Sequence, residues 1–318
     1  MLIRDISRCP SRSVVVAAIL ALPFAAPDGA SAQSDRQGFY AGLQLGVVNS
    51  TAVSSSLSGV NHPTRCDVLL YPSSVTPPVD DAACLDRTPA VIFSNEFDHS
   101  RGLAGGFMAG YRAGGVRIEM EYFHRYLGDA TSPVGGADNP ALQGKASEWS
   151  NDEPPYEWIG DYAAHQFFAN AYYDFRNASN WTPYVGAGVG WAATGLSYYA
   201  QLVRKPAAEY LQVEFEPDWP EVAKRAAAGT ASIMDTRATM TVFGYQLLAG
   251  VDYALSQRTS VGVTVRQTRF DDVHHDTPWN LVRSHAPVQA DGVTPFDATM
   301  EFGGIGYQAV TVSLKYHF

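Results

Sequence analysis

Four groups of residues combine types and spacings that could do chemistry. Asp271, Asp272, His274, His275 and Asp276 gather carboxylates and imidazoles, the donors of a divalent metal site. Adjacent histidines on an extended segment point to opposite sides, so this spacing fits no standard metal site and is expected to be a solvated loop start. His99-Ser100 and Ser284-His285 each put a base beside a hydroxyl. Neither pair has the strand context that aims a base at a nucleophile, so no enzyme, catalytic residue or cofactor is expected. Cys66 and Cys84 are an even pair once Cys9 is set aside with the leader described below. In an exported chain such a pair is expected to form a disulfide, and no histidine stands at ligand spacing beside them. The fourth group is Arg117, Glu119, Glu121 and Arg125, charges that recur at alternate positions and so could build a paired network.

That alternation is the period of an extended strand, whose successive side chains point to opposite faces. Between Val116 and Leu127, residues Val116, Ile118, Met120, Tyr122 and Tyr126 share the face opposite the charges. The same period runs through Gly38 to Val48, Gly102 to Arg112, Gln166 to Phe175, Thr182 to Leu196, Thr239 to Leu255, Thr259 to Arg269 and Ile305 to Phe318. Each of these eight strands is long enough to cross a bilayer. Short links at 113–115, 176–181 and 256–258 alternate with long ones at 49–101, 128–165, 197–238 and 270–304. A soluble sandwich has no reason for that asymmetry, whereas a membrane barrel keeps periplasmic turns tight and lets extracellular loops grow. The predicted fold is all-β: an eight-stranded antiparallel up-and-down transmembrane β-barrel with long extracellular loops, one domain over residues 33–318. One loop is expected to hold a short helix over Val222 to Ala228, opened by Asp218-Trp219-Pro220-Glu221 and stopped at Gly229.

Inward parity predicts a lumen charge network of Arg112, Arg117, Arg125, Arg266 and Lys315 against Glu119, Glu121, Asp174 and Asp252, with Gln44, Asn170, Gln246 and Thr311 between them. Charges this close offset one another's desolvation, and an eight-stranded bore is just wide enough for side chains to fill it. A plugged lumen is therefore expected, with a narrow channel as the alternative. Outward aromatics read as interfacial girdles, Tyr126, Phe167, Trp191 and Tyr245 at one rim and Tyr40, Trp181, Tyr253 and Phe318 at the other.

The chain opens with Arg4, Arg8 and Arg12, an apolar stretch from Val14 to Ala26, and Ala30-Ser31-Ala32. This is the order of a secretory leader, residues 1–32, cleaved before Gln33. Its removal takes three of 22 Lys+Arg and two of 32 Asp+Glu, moving the net charge from −10 to −11. So acidic a chain argues against nucleic acid as a partner. No later run reaches about 18 apolar residues, which excludes a helical membrane protein.

Three stretches carry a family resemblance: Gly38-Phe39-Tyr40-Ala41-Gly42, then Ala169 to Phe175 running into Trp181 to Gly188, then Val312-Ser313-Leu314-Lys315-Tyr316-His317-Phe318. They resemble the outer-membrane β-barrel family that includes opacity-type adhesins and small surface antigens of proteobacteria. The resemblance implies a place in the bacterial outer membrane, with its lipid and lipopolysaccharide as neighbours. It also implies recognition by the barrel-assembly machinery through Leu314, Tyr316 and Phe318. Activity in that family resides in the loops, so the expected role is structural or a surface interaction, adhesin- or antigen-like, with a host or cell-surface ligand. The alternatives are a narrow-bore channel for small solutes and a lipid A-modifying enzyme.

Overall fold

The structure, a computed structural model, describes residues 37–59, 90–133, 146–215, 221–278, 280–282 and 297–318 of the chain. Among these residues the strands are β1 (Gly38–Ser50), β2 (Val53–Gly59), β3 (Ala90–Phe97), β4 (Arg101–Ala113), β5 (Val116–Leu127), β6 (Ala130–Pro133) and β7 (Tyr156–Asp174). There follow β8 (Trp181–Val203), β9 (Ala231–Ala254), β10 (Thr259–Phe270), β11 (Val273–Pro278), β12 (Asn280–Val282), β13 (Asp297–Gly303) and β14 (Gly306–His317). The leader, Cys66 and Cys84, the proline-rich stretch from Pro72 to Pro78, residues 218–220 and Ser284-His285 lie outside the described residues.

Eight strands, β1, β4, β5, β7, β8, β9, β10 and β14, pair antiparallel in that order, and β14 closes the ring against β1. The fold is a closed up-and-down barrel that contains all eight expected spans. Closure leaves no unpaired edge to face lipid. Parity decides what each face meets: Leu45 is 73% exposed, Leu103 70% and Ile118 64%, while Gln44, Arg117 and Glu119 between them are buried. So broad an exposed apolar band is a lipid-facing surface. At the end with the tight turns, where Gly114 takes a positive φ of 60°, aromatic pairs ring the rim: Phe39 with Tyr111, Trp181 with Tyr253 and Tyr316 with Phe318. Tyr40 is not part of this girdle, contrary to expectation. It sits at inward parity, 1% exposed, with its hydroxyl on Glu119.

The long links differ most from their reading as loops. Across gaps of two or three residues, β2 continues β1, β3 leads into β4, β11 continues β10 and β13 leads into β14. These four pair in the order β11-β13-β2-β3, the neighbour order of β10-β14-β1-β4 below them. Meanwhile β7, β8 and β9 run on for 19, 23 and 24 residues, about twice the 9–11 that cross a bilayer. One wall thus rises well beyond the membrane, with a break at the level of Thr51, Ser100, Gly128, Asp271 and Gly304. Opposite the break, β7 bulges between Gly160 and Ala163, with Asp161 at a φ of 49°. The expected short helix is present at Glu221–Ala227, and Gly229 ends it with a φ of 69°.

Candidate functional site: the lumen and the extracellular extension

The lower half of the lumen is ionic. Asp252 on β9 accepts from Lys315 Nζ at 2.8 Å and Arg117 Nη1 at 3.0 Å. Asp174, at the end of β7, meets Arg112 Nε at 3.0 Å and Arg117 Nε at 2.9 Å. Arg117 therefore bridges two carboxylates, and its guanidinium lies 4.7 and 4.4 Å from the ring centroids of Tyr172 and Tyr184. Glu119 accepts from the hydroxyls of Tyr40 at 2.7 Å and Tyr172 at 2.9 Å. One step higher, Arg266 holds Glu121 with two nitrogens, at 2.5 and 3.1 Å, and also donates to Gln44 at 2.8 Å. Such bidentate, charge-assisted pairs are the strong ones. Glycine makes room for the tyrosines: a Cβ at Gly250 would stand 2.5 Å from Tyr184 Oη, and one at Gly110 2.5 Å from Tyr40 Oη.

Eight of the nine expected charges thus come together, four cations with four anions. Arg125 stands apart. It is fully buried, and none of its guanidinium nitrogens has a hydrogen-bond partner among the described residues. It lies instead 4.3 Å from the Tyr162 ring centroid and 5.0 Å from that of Tyr307. The expectation that every lumen charge is paired fails here, because on β5 the alternation carries Arg125 above the last acidic residue, Glu121, into an aromatic layer.

That layer, Phe123, Phe168, Phe270 and Tyr307, crosses the bore. Above it the extension has an apolar core that includes Leu57, Phe97, Ile159, Met234, Met300 and Phe302, all buried. In the ionic half, a gap lined by Gln44, Glu119, Glu121 and Arg266 has space for roughly one water. Glu157 on β7 is buried in the extension, accepting from Tyr198 Oη at 2.6 Å and Ser55 Oγ at 3.4 Å. Burial pushes this carboxyl above the usual carboxylate range, and the hydrogen bonds oppose the shift. A side lobe is pinned by Glu148, which accepts from Arg204 Nε at 3.2 Å and Tyr210 Oη at 2.7 Å. Sequence reasoning missed Glu148, Glu157 and Arg204, since their partners lie on other segments and no local spacing announces them.

The other sequence candidates disperse. His274 faces Glu301 at 3.7 Å, His275 meets Thr236 at 2.9 Å, and Asp276 accepts from Thr299 at 2.7 Å. Among the described residues no three or more His, Cys, Asp and Glu side chains gather to hold a metal. His99 Nδ1 lies 3.0 Å from the Ser50 carbonyl, and Ser100 Oγ donates to the Gly128 carbonyl, so this pair serves the strand break.

Closed antiparallel barrel, lipid-facing exterior and ionic lumen together define a bacterial outer-membrane protein. The chain belongs to the outer membrane protein beta-barrel domain family, whose model matches residues 14–318. No curated protein matches it. Among solved structures it is similar to Neisserial surface protein A, at 13% identity and a TM-score of 0.36, over 88% of this chain and 97% of that one. It is similar to OprG from Pseudomonas aeruginosa, at 12% identity and a TM-score of 0.38, over 90% and 99%. A third similar structure is the outer membrane protease OmpT from Escherichia coli, at 10% identity and a TM-score of 0.37, over 87% and 97%.

Proposed function

We propose that this protein is a non-conducting surface barrel whose adhesin- or antigen-like work is done by the extension it holds outside the membrane. The observation that carries this reading is the filling of the bore. Above a balanced set of four cations and four anions stand an aromatic layer and then an apolar core, and hydrated solutes do not cross packed apolar side chains. The wall that encloses this core turns polar and exposed residues outward, such as Glu96 and Glu301, toward the medium. On this reading lipid and lipopolysaccharide surround the band, the barrel-assembly machinery reads Leu314, Tyr316 and Phe318, and a host or cell-surface ligand meets the extension.

Planar-bilayer recording tests the reading. Purified protein should give no steady single-channel current. Discrete steps that shift when Arg117 or Glu119 is neutralised would favour the narrow-bore channel instead. The lipid A-modifying reading predicts altered acyl chains on overexpression that revert in a His285→Ala variant, read by mass spectrometry of lipid A.

A further inference from the structure

The lipid-facing wall holds a pair of side chains that contact with lipid does not call for. His124 on β5 and His165 on β7 are direct cross-strand partners, and their ring centroids lie 4.5 Å apart. His124 is half-buried and His165 exposed. Their neighbours along the same row are Gly105 on β4 and Ala193 on β8, so small residues flank the rings and leave them open to the outside. The pair sits a few residues below the strand break at Gly128 and the bulge at Asp161, where the hydrocarbon band gives way to headgroups and water.

Tyr122 prepares one of the rings. It is held between Phe107 and Phe167, with centroids 5.0 and 5.2 Å away, and its hydroxyl lies 2.8 Å from His165 Nδ1. With Nδ1 engaged, Nε2 of His165 is left for an outside group. This is how ligating histidines are usually oriented, one ring nitrogen held by an oxygen and the other on the metal. Ionisable residues in a membrane band are expensive and as a rule serve a function. Two imidazoles on opposed strand positions supply the donors that suit zinc, nickel and copper.

We propose that His124 and His165 form a two-imidazole site for a divalent transition-metal ion at the outer rim of the membrane band, with water completing the coordination. Bound there, the ion clips β5 to β7 just below the place where β5 gives way to β6. Tyr122 is a positioning residue that holds the His165 ring, and it does not touch the metal.

The test uses full-length protein purified in detergent. Crystals soaked in zinc chloride should show an anomalous peak about 2.0–2.1 Å from a ring nitrogen of each histidine. In zinc titrations of a His274→Asn/His275→Asn background, which removes the adjacent histidines of β11, the site at the pair should remain. Adding His124→Asn or His165→Asn should weaken it at least about tenfold, and Tyr122→Phe should weaken it roughly tenfold by freeing the ring. Heat-modifiable gel migration confirms that each variant is folded. Absence of the peak at the pair, or equal zinc affinity with and without His165, overturns the proposal.

Discussion

Asp252→Asn is the substitution that most sharply probes the lumen. The asparagine keeps the volume and removes the charge, in a side chain 5% exposed. Lys315, itself 4% exposed, then loses the carboxylate that receives its ammonium at 2.8 and 3.0 Å. Arg117 fares better, because Asp174 still accepts from its Nε at 2.9 Å. Breaking one buried pair and stranding its cation costs about 3–5 kcal/mol. At a urea dependence of up to about 3 kcal/mol per molar, the unfolding midpoint should fall by at least roughly 1 M. Intrinsic tryptophan fluorescence of the barrel in detergent micelles, followed across a urea series, measures it. Asp252→Asn/Lys315→Met should recover most of the loss, since the stranded charge is gone. A midpoint shift under about 0.3 M, or a double variant no more stable than the single, would refute the claim that ion pairing holds this half of the lumen.

Arg125→Met should behave in the opposite way. Removing a buried cation without a hydrogen-bonding partner exchanges its desolvation for apolar packing against Tyr162 and Tyr307, so urea unfolding should be unchanged or strengthened by about 1 kcal/mol, after roughly 2 kcal/mol of cation–π attraction is given up. Glu157→Gln tests the extension. Because the folded protein raises this carboxyl's pKa, its contribution to stability is fully present below the usual carboxylate value and is lost as pH rises through the raised one. Hydrogen exchange of β2 and β3 amides should therefore quicken, beyond its intrinsic rise, as pH climbs from the usual carboxylate value through the raised one, and the glutamine variant should lack that excess. Leu314→Asp places a charge on the lipid face of β14, where Leu314 is 53% exposed, and should cause accumulation in the periplasm on cell fractionation.

Residues that meet the same environment along a whole strand were legible from their period. Val116 to Leu127 is the clearest case, because lipid on one side and a charged lumen on the other demand opposite chemistries at every step. Beyond the membrane that contrast fades. In β2, Val53, Ser55 and Leu57 are buried against Ser54 and Ser56, but serine stands on both faces, so the strand reads as loop. Tyr40 was misread for a related reason, since an aromatic residue near a rim suits both a girdle and a lumen hydrogen bond, and parity alone decides between them. Arg125 required knowing where the acidic positions of the other strands end, which is a matter of register around the ring. Register also brings His124 opposite His165, and no spacing within either strand shows that meeting.

The central claim is that the wall continues outside the membrane, with β11, β13, β2 and β3 standing above β10, β14, β1 and β4 and turning one face to an apolar core. It is tested most directly along β13, by single cysteines at 299, 300, 301 and 302 in a background with Cys66 and Cys84 replaced by serine. Intact cells are then treated with a membrane-impermeant maleimide. Cysteine at Thr299 and Glu301 should label, while at Met300 and Phe302, both fully buried, it should stay unlabelled until the protein is denatured. Uniform labelling along the four positions, or none at 299 and 301, would contradict the account.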